Sequence, residues 1–307
     1  MTVSKGLAVA LSAALLAAAA ARPAGAADAP ASHPVRTQKL APHLWYLYDR
    51  GGNMAALIGK DGTFLVDDEF APFVPAILDK LKALGGGTPK FVVNTHYHQD
   101  HTGGNERMHA AGATVIAQAN VRARLAQIQR APFGGSTLAP VPASALPTLT
   151  FEHAITLNFD GETIRVLHLP PGHTDGDSVV FFEQANVVHM GDLFFNGLYP
   201  IIDVQAGGSV GGMIADIDRV LPRMNDKTVV VPGHGPVADK AALIRFRNMM
   251  ATVRDKVRTL VDQGKTLAQI QAAHPTAEFD ARWGNRVPAK RFVAEVYYSL
   301  KPHFVGS

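Results

Sequence analysis

Alternating and continuous apolar runs along the chain predict two groups of β-strands. Those of the first group lie at residues 43–48, 54–58, 63–66 and 91–94. Those of the second group lie at residues 150–159, 163–169, 179–182, 187–190 and 229–231. Turn-forming residues separate the early runs, as in Gly51-Gly52-Asn53 and Asp61-Gly62. We therefore expect two sheets, the second of which begins at Thr150.

Apolar residues at helical spacing predict helices between and after these strands. Residues 72–84 show this spacing, and residues 118–130 predict a second helix. A long helix over residues 238–264 has an apolar stripe and ends at a glycine. Thr266 is a suitable N-cap for a further helix, and residues 293–300 predict a last one. These patterns indicate an α/β (α+β) fold with a C-terminal helical tail.

Two stretches lack a periodic pattern. Residues 131–147 contain four prolines and a Gly-Gly pair, a composition that resists regular structure. Residues 194–210 form the second stretch. We expect both to frame a substrate, and a plain surface loop is the alternative for residues 131–147.

Residues 1–26 have the pattern of a secretory signal peptide. Lys5 precedes the apolar stretch 6–21, and Ala24-Gly25-Ala26 fits a cleavage site before Ala27. The apolar stretch is short and rich in alanine, so we expect release rather than stable membrane insertion. The expected location is the periplasm or the medium, and a chain without cysteine is compatible with that oxidising environment.

The remainder, about 280 residues, suits one sizeable domain. We predict a loose arm at residues 27–40, a central domain at 41–237, and a helical extension at 238–307 packed on it. Without Lys5 and Arg22 the formal net charge falls from +3 to +1, which gives no indication of nucleic-acid binding. A small-molecule substrate is the expected partner, and the oligomeric state is left open.

The most informative chemistry lies directly after the strand predicted at residues 91–94. His96, His98, Asp100 and His101 occur within six residues. Neighbouring imidazoles repel one another when charged, whereas a divalent cation binds them in their neutral form. Residues two apart in an extended segment point the same way, so His96 and His98 can converge on one ion. Asp100 and His101 are offset toward a second ion, and a solvated histidine-rich loop is the alternative.

Three further ligand-type residues follow strand ends. His173 follows a Pro-Pro-Gly turn, Asp192 follows a glycine, and His234 lies between Pro-Gly and Gly-Pro pairs. Loops at strand ends carry functional side chains more often than core positions do. The pattern of strand, turn and ligand therefore occurs four times in the chain.

In order and in strand context, these residues resemble the signature elements of the metallo-beta-lactamase superfamily of metallohydrolases. Asp67, after the apolar residues 64–66, matches the first element. The later elements are matched by His96, His98, Asp100, His101, His173, Asp192 and His234. The resemblance covers roughly residues 40–240. It implies a four-layered αββα sandwich, with metals at one edge between two sheets.

The resemblance also implies roles for these residues. The ligands of a first zinc ion would be His96, His98 and His173. Those of a second would be Asp100, His101 and His234. Asp192 would bridge the two Zn²⁺ ions, and Asp67 would orient a ligand histidine. Iron and manganese are alternative metals.

A hydrolytic mechanism follows from two metals. A water shared by two divalent ions has a lowered pKa, so hydroxide is available near neutral pH to attack a carbonyl. Asp100 is the candidate catalytic residue, which would orient that nucleophile and pass a proton to the leaving group. The chain has no cysteine that could act as a nucleophile. Phe194 and Tyr199 are candidate substrate contacts because they closely follow Asp192.

The residue at position 192 bears on the substrate. Beta-lactamases of the resembled superfamily usually have cysteine or serine at the matching position, whereas aspartate is typical of glyoxalase-II-like, lactonase and other hydrolase branches. Our leading hypothesis is a secreted dinuclear zinc hydrolase that attacks a small cyclic amide or ester, with beta-lactam turnover as a main or side activity. One alternative is a hydrolase of a non-lactam thioester, sulfate or phosphate ester. Another is a non-hydrolytic periplasmic metal-binding or redox accessory protein.

Overall fold

Two β-sheets packed face to face dominate the described part of the chain, which in this computed structural model comprises Met1, residues 34–130 and residues 137–301. The predicted signal peptide beyond Met1 lies outside the described residues, as do residues 27–33 of the predicted arm, 131–136 and 302–307. The described residues from 34 onward group as one unit. Within the described residues, no helix is both long enough and apolar enough to cross a bilayer.

The first sheet contains seven strands. They are β1 (Arg36–Ala41), β2 (Leu44–Tyr48), β3 (Met54–Gly59), β4 (Gly62–Val66), β5 (Phe91–Asn94), β6 (Thr114–Gln118) and β9 (Leu149–Phe151). Between β6 and β9, the strands β7 (Gln129–Arg130) and β8 (Thr137–Leu138) form a separate two-stranded ribbon. Strands β1 to β4 pair antiparallel in hairpin succession. The pairs from β4 through β5 and β6 to β9 are parallel, so the loops after β4, β5 and β6 leave the same edge of the sheet.

The second sheet contains six strands in chain order. They are β10 (Ala154–Phe159), β11 (Glu162–His168), β12 (Ser178–Phe182), β13 (Val187–His189), β14 (Val229–Val231) and β15 (Ala238–Asp239). Its inner face packs on the inner face of the first sheet, and the ring of Phe64 meets that of Phe182 edge-on at 6.1 Å. Burial on both faces explains why β12 and β14 read as continuous apolar runs.

Nine α-helices lie in the described residues. They are α1 (Val74–Ala83), α2 (Gln99–Thr102), α3 (Asn105–Ala110), α4 (Ala119–Leu125), α5 (Val210–Val220), α6 (Lys240–Asp262), α7 (Leu267–Ala272), α8 (Asp280–Trp283) and α9 (Ala289–Ser299). Helix α1 covers the outer face of the first sheet, and α5, α6 and α9 cover that of the second. The predicted four-layered αββα sandwich with a C-terminal helical region is confirmed.

Several predicted boundaries are wrong for local reasons. The strand predicted at 150–159 is two strands in different sheets, because the chain changes sheets between Phe151 and Ala154 without a Gly or Pro to mark the turn. The helix predicted at 118–130 ends at Leu125, and the ribbon strand β7 follows. The arm predicted as loose includes β1, which pairs with β2.

The C-terminal extension starts later than predicted, because Ala238 and Asp239 form the last strand of the second sheet. The Asp239 carboxylate then caps α6 by accepting the N–H of Ala242 at 2.7 Å. The predicted N-cap at Thr266 is confirmed: its hydroxyl accepts the N–H of Gln269, whose side chain accepts the N–H of Thr266 in return.

Helix α5 starts at the end of the stretch predicted to be irregular. Its cap is Ser209, whose hydroxyl accepts the N–H of Gly212 at 2.9 Å. A Cβ at Gly212 would lie 1.9 Å from the carbonyl oxygen of Pro171, so this glycine lets the helix approach the loop that carries His173. Ser209 sits within a Gly-x-Ser-x-Gly pattern, and capping accounts for its hydroxyl.

Candidate metal centre

Seven ligand-type side chains meet at one edge of the sandwich, on loops that follow four strands. The segment after β5 carries His96, His98, Asp100 and His101, and the loops after β11, β13 and β14 carry His173, Asp192 and His234. One group, with ligand atoms within 4.8 Å of one another, consists of His96, His98, His173 and Asp192. A second group of the same compactness consists of Asp100, His101 and His234.

The hydrogen bonds around His96 leave one of its nitrogens free. Thr95 donates its hydroxyl proton to Asp67 Oδ2 at 2.8 Å, so the same hydroxyl oxygen accepts from His96 Nδ1 at 3.1 Å. The neutral ring then has an unprotonated Nε2. This atom is buried and has no hydrogen-bond partner. Burying a hydrogen-bond acceptor without a donor costs free energy, so this nitrogen is suited to bind a cation.

His98 and His173 point unprotonated nitrogens at each other. His98 Nε2 lies 3.1 Å from the carboxylate of Asp203 and donates to it, which leaves Nδ1 without a proton. His173 Nδ1 donates to the carbonyl oxygen of Ile201 at 2.7 Å, which leaves Nε2 without one. The two remaining nitrogens are 2.9 Å apart. Two lone pairs at this distance repel one another unless a proton or a metal ion lies between them.

The second group has the same design. His101 Nδ1 lies 2.7 Å from Asp67 Oδ2 and donates to it, and His101 Nε2 is buried without a partner. That nitrogen faces Asp192 Oδ1 at 3.2 Å, and this carboxylate oxygen is also buried and unpartnered. His234 Nε2 lies 3.2 Å from Asp100 Oδ2 and 3.4 Å from Asp192 Oδ2. Asp192 therefore reaches the ligand atoms of both groups.

Burial and charge keep the first group in a metal-binding form. Burial lowers the pKa of His96 well below its usual value and that of His173 to about 4, so both imidazoles are neutral at pH 7. Burial also disfavours the ionised form of Asp192, but the histidines His234, His101 and His96 outweigh it and hold the pKa of this carboxyl well below its usual value. Neutral imidazole and ionised carboxylate are the forms that bind a divalent cation.

The charge balance in the second group favours a cation as well. Burial lowers the pKa of His234, but Asp192 and Asp100 outweigh this and raise it to about 9. Burial lowers the pKa of His101 too, and the carboxylates of Asp192, Asp100 and Asp67 raise it well above its usual value. The carboxylates therefore attract positive charge, which either a proton or a metal ion can supply.

The side chains present fit two divalent cations. The unpartnered His96 Nε2, His101 Nε2 and Asp192 Oδ1 are all aimed into the space between the loops. Nitrogen and carboxylate oxygen donors without sulfur suit zinc, iron and manganese. His96, His98, His173 and Asp192 would hold one ion, and Asp100, His101 and His234 would hold the other, with Asp192 in reach of both.

The sequence around this centre matches a known family. A profile of the Metallo-beta-lactamase superfamily matches residues 47–234, which contain all seven ligand-type residues. The chain belongs to the metallo-beta-lactamase superfamily. The match begins at the end of β2 and ends at His234, so it includes strands β3 to β14 and excludes β1, β15 and helices α6 to α9.

Superfamily members with related sequences carry hydrolase names. The chain is 31% identical over 172 residues to the hydroxyacylglutathione hydrolase of Rhodospirillum rubrum, a match that covers 55% of this chain and 56% of that protein. It is 24% identical over 159 residues to a metallo-beta-lactamase type 2 of Bacillus cereus, which covers 52% and 57%. The chain thus spans a little over half the length of these relatives.

Solved superfamily structures share the fold. A metallo-beta-lactamase from Pontibacter korlensis superposes with a TM-score of 0.59 at 21% identity over 71% of this chain and 99% of that chain. The sec-alkylsulfatase Pisa1 from Pseudomonas sp. superposes with a TM-score of 0.64 at 19% identity over 89% of this chain and 51% of that chain. At these identities the likeness concerns the fold.

Asp67 lies where the superfamily resemblance implies an orienting acid. Its Oδ2 contacts His101 Nδ1, and its Oδ1 accepts the backbone N–H of Thr95 at 2.7 Å. It is fully buried and adopts a positive φ of 60°, an unusual backbone conformation for a residue other than glycine. The Asp67 carboxylate therefore fixes His101 of the second group directly. It also fixes Thr95, which precedes His96 of the first group and accepts from its Nδ1.

Sequence reasoning missed Asp203, which orients His98. Asp203 is 1% exposed and also accepts the hydroxyl of Tyr97. It lies in the stretch predicted to be irregular, where no strand end marks it. One signal was available: a lone carboxylate within Pro-Ile-Ile-Asp-Val is an expensive residue to bury unless it has a partner.

The structure buries the side chains of Phe194 and Tyr199, the two predicted substrate contacts. Phe194 packs on Phe246, and Tyr199 stacks on Phe292 at 4.8 Å. The Tyr199 hydroxyl donates to Asp280 Oδ1 at 2.8 Å. The adjacent Phe195 instead stacks on the ring of His234 at 5.1 Å.

Proposed function

We propose that this protein is an exported dinuclear metallohydrolase that uses water to cleave a small cyclic amide or ester. The observation that carries the proposal is the convergence of seven ligand-type side chains, among which His98 Nδ1 and His173 Nε2 lie 2.9 Å apart. A metal ion bound by both nitrogens accounts for that contact. Beta-lactam turnover belongs to this proposal as a main or side activity.

Two bound divalent cations supply Lewis-acid polarisation of the substrate oxygen and lower the pKa of water at the site. The chain supplies orientation. Asp67, Asp203 and the carbonyl of Ile201 hold His101, His98 and His173 by the nitrogen that faces away from the centre. Their ring orientations are therefore fixed before substrate arrives.

Asp100 is the group best placed to hold and move a proton. Its side chain is 24% exposed, whereas those of Asp192 and His234 are 4% and 8% exposed. Burial raises the pKa of Asp100, but His101 and His234 outweigh burial and lower it, so the group is a carboxylate at neutral pH. It can accept a proton from water and deliver it to the leaving group as the scissile bond breaks.

The side chains of His98 and Asp100 form the solvent-exposed side of the centre. The side chain of His98 is 13% exposed, while those of His96, His101 and His173 are at most 1% exposed. A substrate therefore approaches across these two residues and the edge of His234. Phe195 backs His234 with an apolar surface, which excludes water from the far side of that ring.

Thioester hydrolysis is the second candidate. The 31% identity to a hydroxyacylglutathione hydrolase favours it, as does an aspartate at position 192. Sulfate and phosphate esters complete the set of substrates to be tested. A non-hydrolytic metal-binding or redox role is the remaining alternative, and a di-iron content with redox cycling would support it.

A hydrolysis panel tests the proposal. Zinc-loaded protein is offered beta-lactams, lactones, aryl esters, thioesters, sulfate esters and phosphate esters, beside Asp100→Ala and His96→Ala. We expect turnover of a lactam, lactone or ester that falls at least 100-fold in both variants. Asp218→Asn, in an exposed pair with Arg247, is the matched control and retains activity. Turnover of thioesters alone selects the second candidate, and no turnover of any class contradicts a hydrolase.

Export is proposed from the pattern of residues 1–26 and has its own test. The full-length chain is expressed in a Gram-negative host, and the intact mass of the protein from the periplasmic fraction is measured. Export predicts a mature protein that starts at Ala27. Full-length protein confined to the cytoplasm would contradict it.

A further inference from the structure

We propose that Asn53 and His189 form a brace that positions Asp192 and His234, and thereby sets the affinity for the ion of the second group. Neither residue offers a ligand atom to the centre. Both are buried: Asn53 is 4% exposed and His189 is fully buried. The brace rests on the proposed metal centre, and its tests separate the two.

Asn53 binds the loop of His234 on both sides of that residue. Its backbone N–H donates to the carbonyl oxygen of Gly233 at 2.8 Å. Its side-chain amide donates to the carbonyl oxygens of Pro232 at 2.9 Å and of Gly235 at 2.8 Å. Three hydrogen bonds from one residue therefore fix the turn that presents His234.

The remaining polar atoms of Asn53 are also satisfied. Its Oδ1 accepts the hydroxyl of Tyr46 at 2.8 Å, and its carbonyl oxygen lies 3.1 Å from His189 Nε2. The buried side-chain amide of Asn53 therefore donates two hydrogen bonds and accepts one, and this combination requires an amide group at the position. Aspartate has the same shape, but one of its carboxylate oxygens would replace the donating NH₂ group and face the carbonyl oxygens of Pro232 and Gly235.

His189 carries the brace from Asn53 to the loop of Asp192. Because a carbonyl oxygen only accepts, His189 Nε2 bears the proton, and its Nδ1 accepts the N–H of Gly191 at 3.2 Å. Gly191 directly precedes Asp192 and adopts φ +50°, and its carbonyl oxygen accepts the N–H of Gly233 at 2.8 Å. The two ligand loops are thus tied to each other and to one buried asparagine.

The brace affects the two groups unequally. Three of the four ligands in the first group, His96, His98 and His173, are held by Thr95, Asp203 and the carbonyl of Ile201. The brace reaches the fourth, Asp192, through the backbone of the preceding Gly191. In the second group, Asn53 holds His234 through the carbonyl oxygens of Pro232, Gly233 and Gly235. Loss of the brace therefore lowers the affinity for the ion of the second group more than the affinity for the ion of the first group.

The test is a stepwise Co²⁺ titration of metal-free, full-length Asn53→Asp and wild-type protein, followed by visible absorption and by competition with a chelating dye. We expect the second dissociation constant to rise about 10-fold or more and the first to change less than threefold. The control is Asn105→Asp, a buried asparagine whose amide donates to the Ala145 carbonyl at 3.1 Å outside the centre. Equal weakening of both ions in Asn53→Asp, or an unchanged second constant, overturns the brace.

Conservative replacement of His189 supplies a rescue test. A glutamine amide places one donor and one acceptor in the same relation as the two ring nitrogens, so His189→Gln can keep both hydrogen bonds, whereas His189→Leu keeps neither. We expect His189→Leu to lose at least 10-fold in affinity for the second ion and His189→Gln to retain most of it. Equal losses in the two variants contradict the brace.

A metal-independent measurement separates the brace from the proposed function. In ¹⁵N spectra of metal-free protein, the brace predicts that His189 has the Nε2-protonated tautomer in the wild-type chain and keeps it in Asn53→Ala, because the accepting carbonyl oxygen belongs to the backbone of residue 53. The Nδ1-protonated tautomer in wild-type protein would overturn the brace whatever the metal content. Uptake of a single ion by wild-type protein with the expected tautomer would contradict the dinuclear function and the effect of the brace on a second ion, while supporting the hydrogen bonds by which the brace positions Asp192 and His234.

Discussion

Asp203 lies 3.1 Å from the Nε2 atom of His98 and so turns the Nδ1 atom of that ring toward the metal centre. His96, His101 and His173 present the opposite nitrogen, Nε2, because their Nδ1 atoms are hydrogen-bonded elsewhere. The choice of nitrogen at each ligand is therefore made by its partner on the far side of the ring.

Removal of the Asp203 carboxylate is expected to weaken the ion of the first group. In Asp203→Ala, the ring of His98 can rotate or exchange its proton between nitrogens, and the affinity for zinc at that group falls about 10- to 100-fold. Asp203→Asn retains an acceptor oxygen and loses less. Competition titration with a chelating dye measures both. Wild-type affinity in Asp203→Ala would show that Asp203 has no orienting role.

A methyl group at Gly52 is expected to disturb the second group. A Cβ there would lie 2.3 Å from Cε1 of His101, so either the ring or the turn between β2 and β3 must move. A displacement of this order costs roughly 100-fold in kcat/KM. Gly87→Ala is the control, because a Cβ at Gly87 has no atom within 4 Å. Equal activity in the two alanine variants would refute the proposed close packing on His101.

Tyr199→Phe separates a core role from a substrate role. The variant loses the hydrogen bond to Asp280 and should lower the free energy of unfolding by about 1 kcal/mol. Its KM for the substrate should remain unchanged, because the side chain is fully buried against Phe292 and Asp280. Urea denaturation and steady-state kinetics measure the two quantities. A raised KM with unchanged stability would restore Tyr199 as a substrate contact.

The convergence of the ligand-type residues could be predicted because each lies just beyond an apolar run, where a short turn fixes its place relative to the strand. His173, Asp192 and His234 share this context. Asp203, Phe194 and Tyr199 lie in an irregular segment without a period, so the direction of each side chain depends on packing against α6, α8 and α9. In this segment the direction of each side chain is set by tertiary contacts, which the local sequence pattern does not contain.

The same distinction holds for the fold. The predicted strands that proved right are bounded by residues such as Asp61-Gly62, which form turns for local reasons. The prediction failed between β9 and β10, because the alternation continues through residues 149–159 while the chain passes from one sheet to the other. Helix α5 was missed because Gly211 and Gly212 at its start favour a loop, although packing on Pro171 requires a small residue there.

Glu295 is expected to make stability depend on pH. Its carboxyl group is fully buried, where it accepts the N–H of Ile202 at 2.8 Å and pairs with Arg291 at 2.9 Å. Burial raises its pKa from 4.5 to about 7. Between these values the folded chain holds a proton that the unfolded chain has lost, so stability falls as pH rises from 4.5 to about 7 and this contribution is constant above.

Glu295→Gln cannot ionise, so its free energy of unfolding should fall less across that window, by on the order of 3 kcal/mol in the limit of a full shift. Urea denaturation at several pH values gives the two slopes. Glu278→Gln, an exposed carboxylate paired with Lys256, controls for the loss of one charge. Identical slopes in wild-type protein and Glu295→Gln would rule out this group as the source.

The most direct test of the account is the zinc content of chelator-treated protein after equilibrium dialysis against Zn²⁺, measured by mass spectrometry on wild-type, His98→Ala and His101→Ala chains. Two groups of ligands predict two ions per wild-type chain and a reduced content in each variant, with one ion retained by the intact group. One ion or none in the wild-type chain, or two ions in both variants, would contradict a dinuclear centre built from these residues.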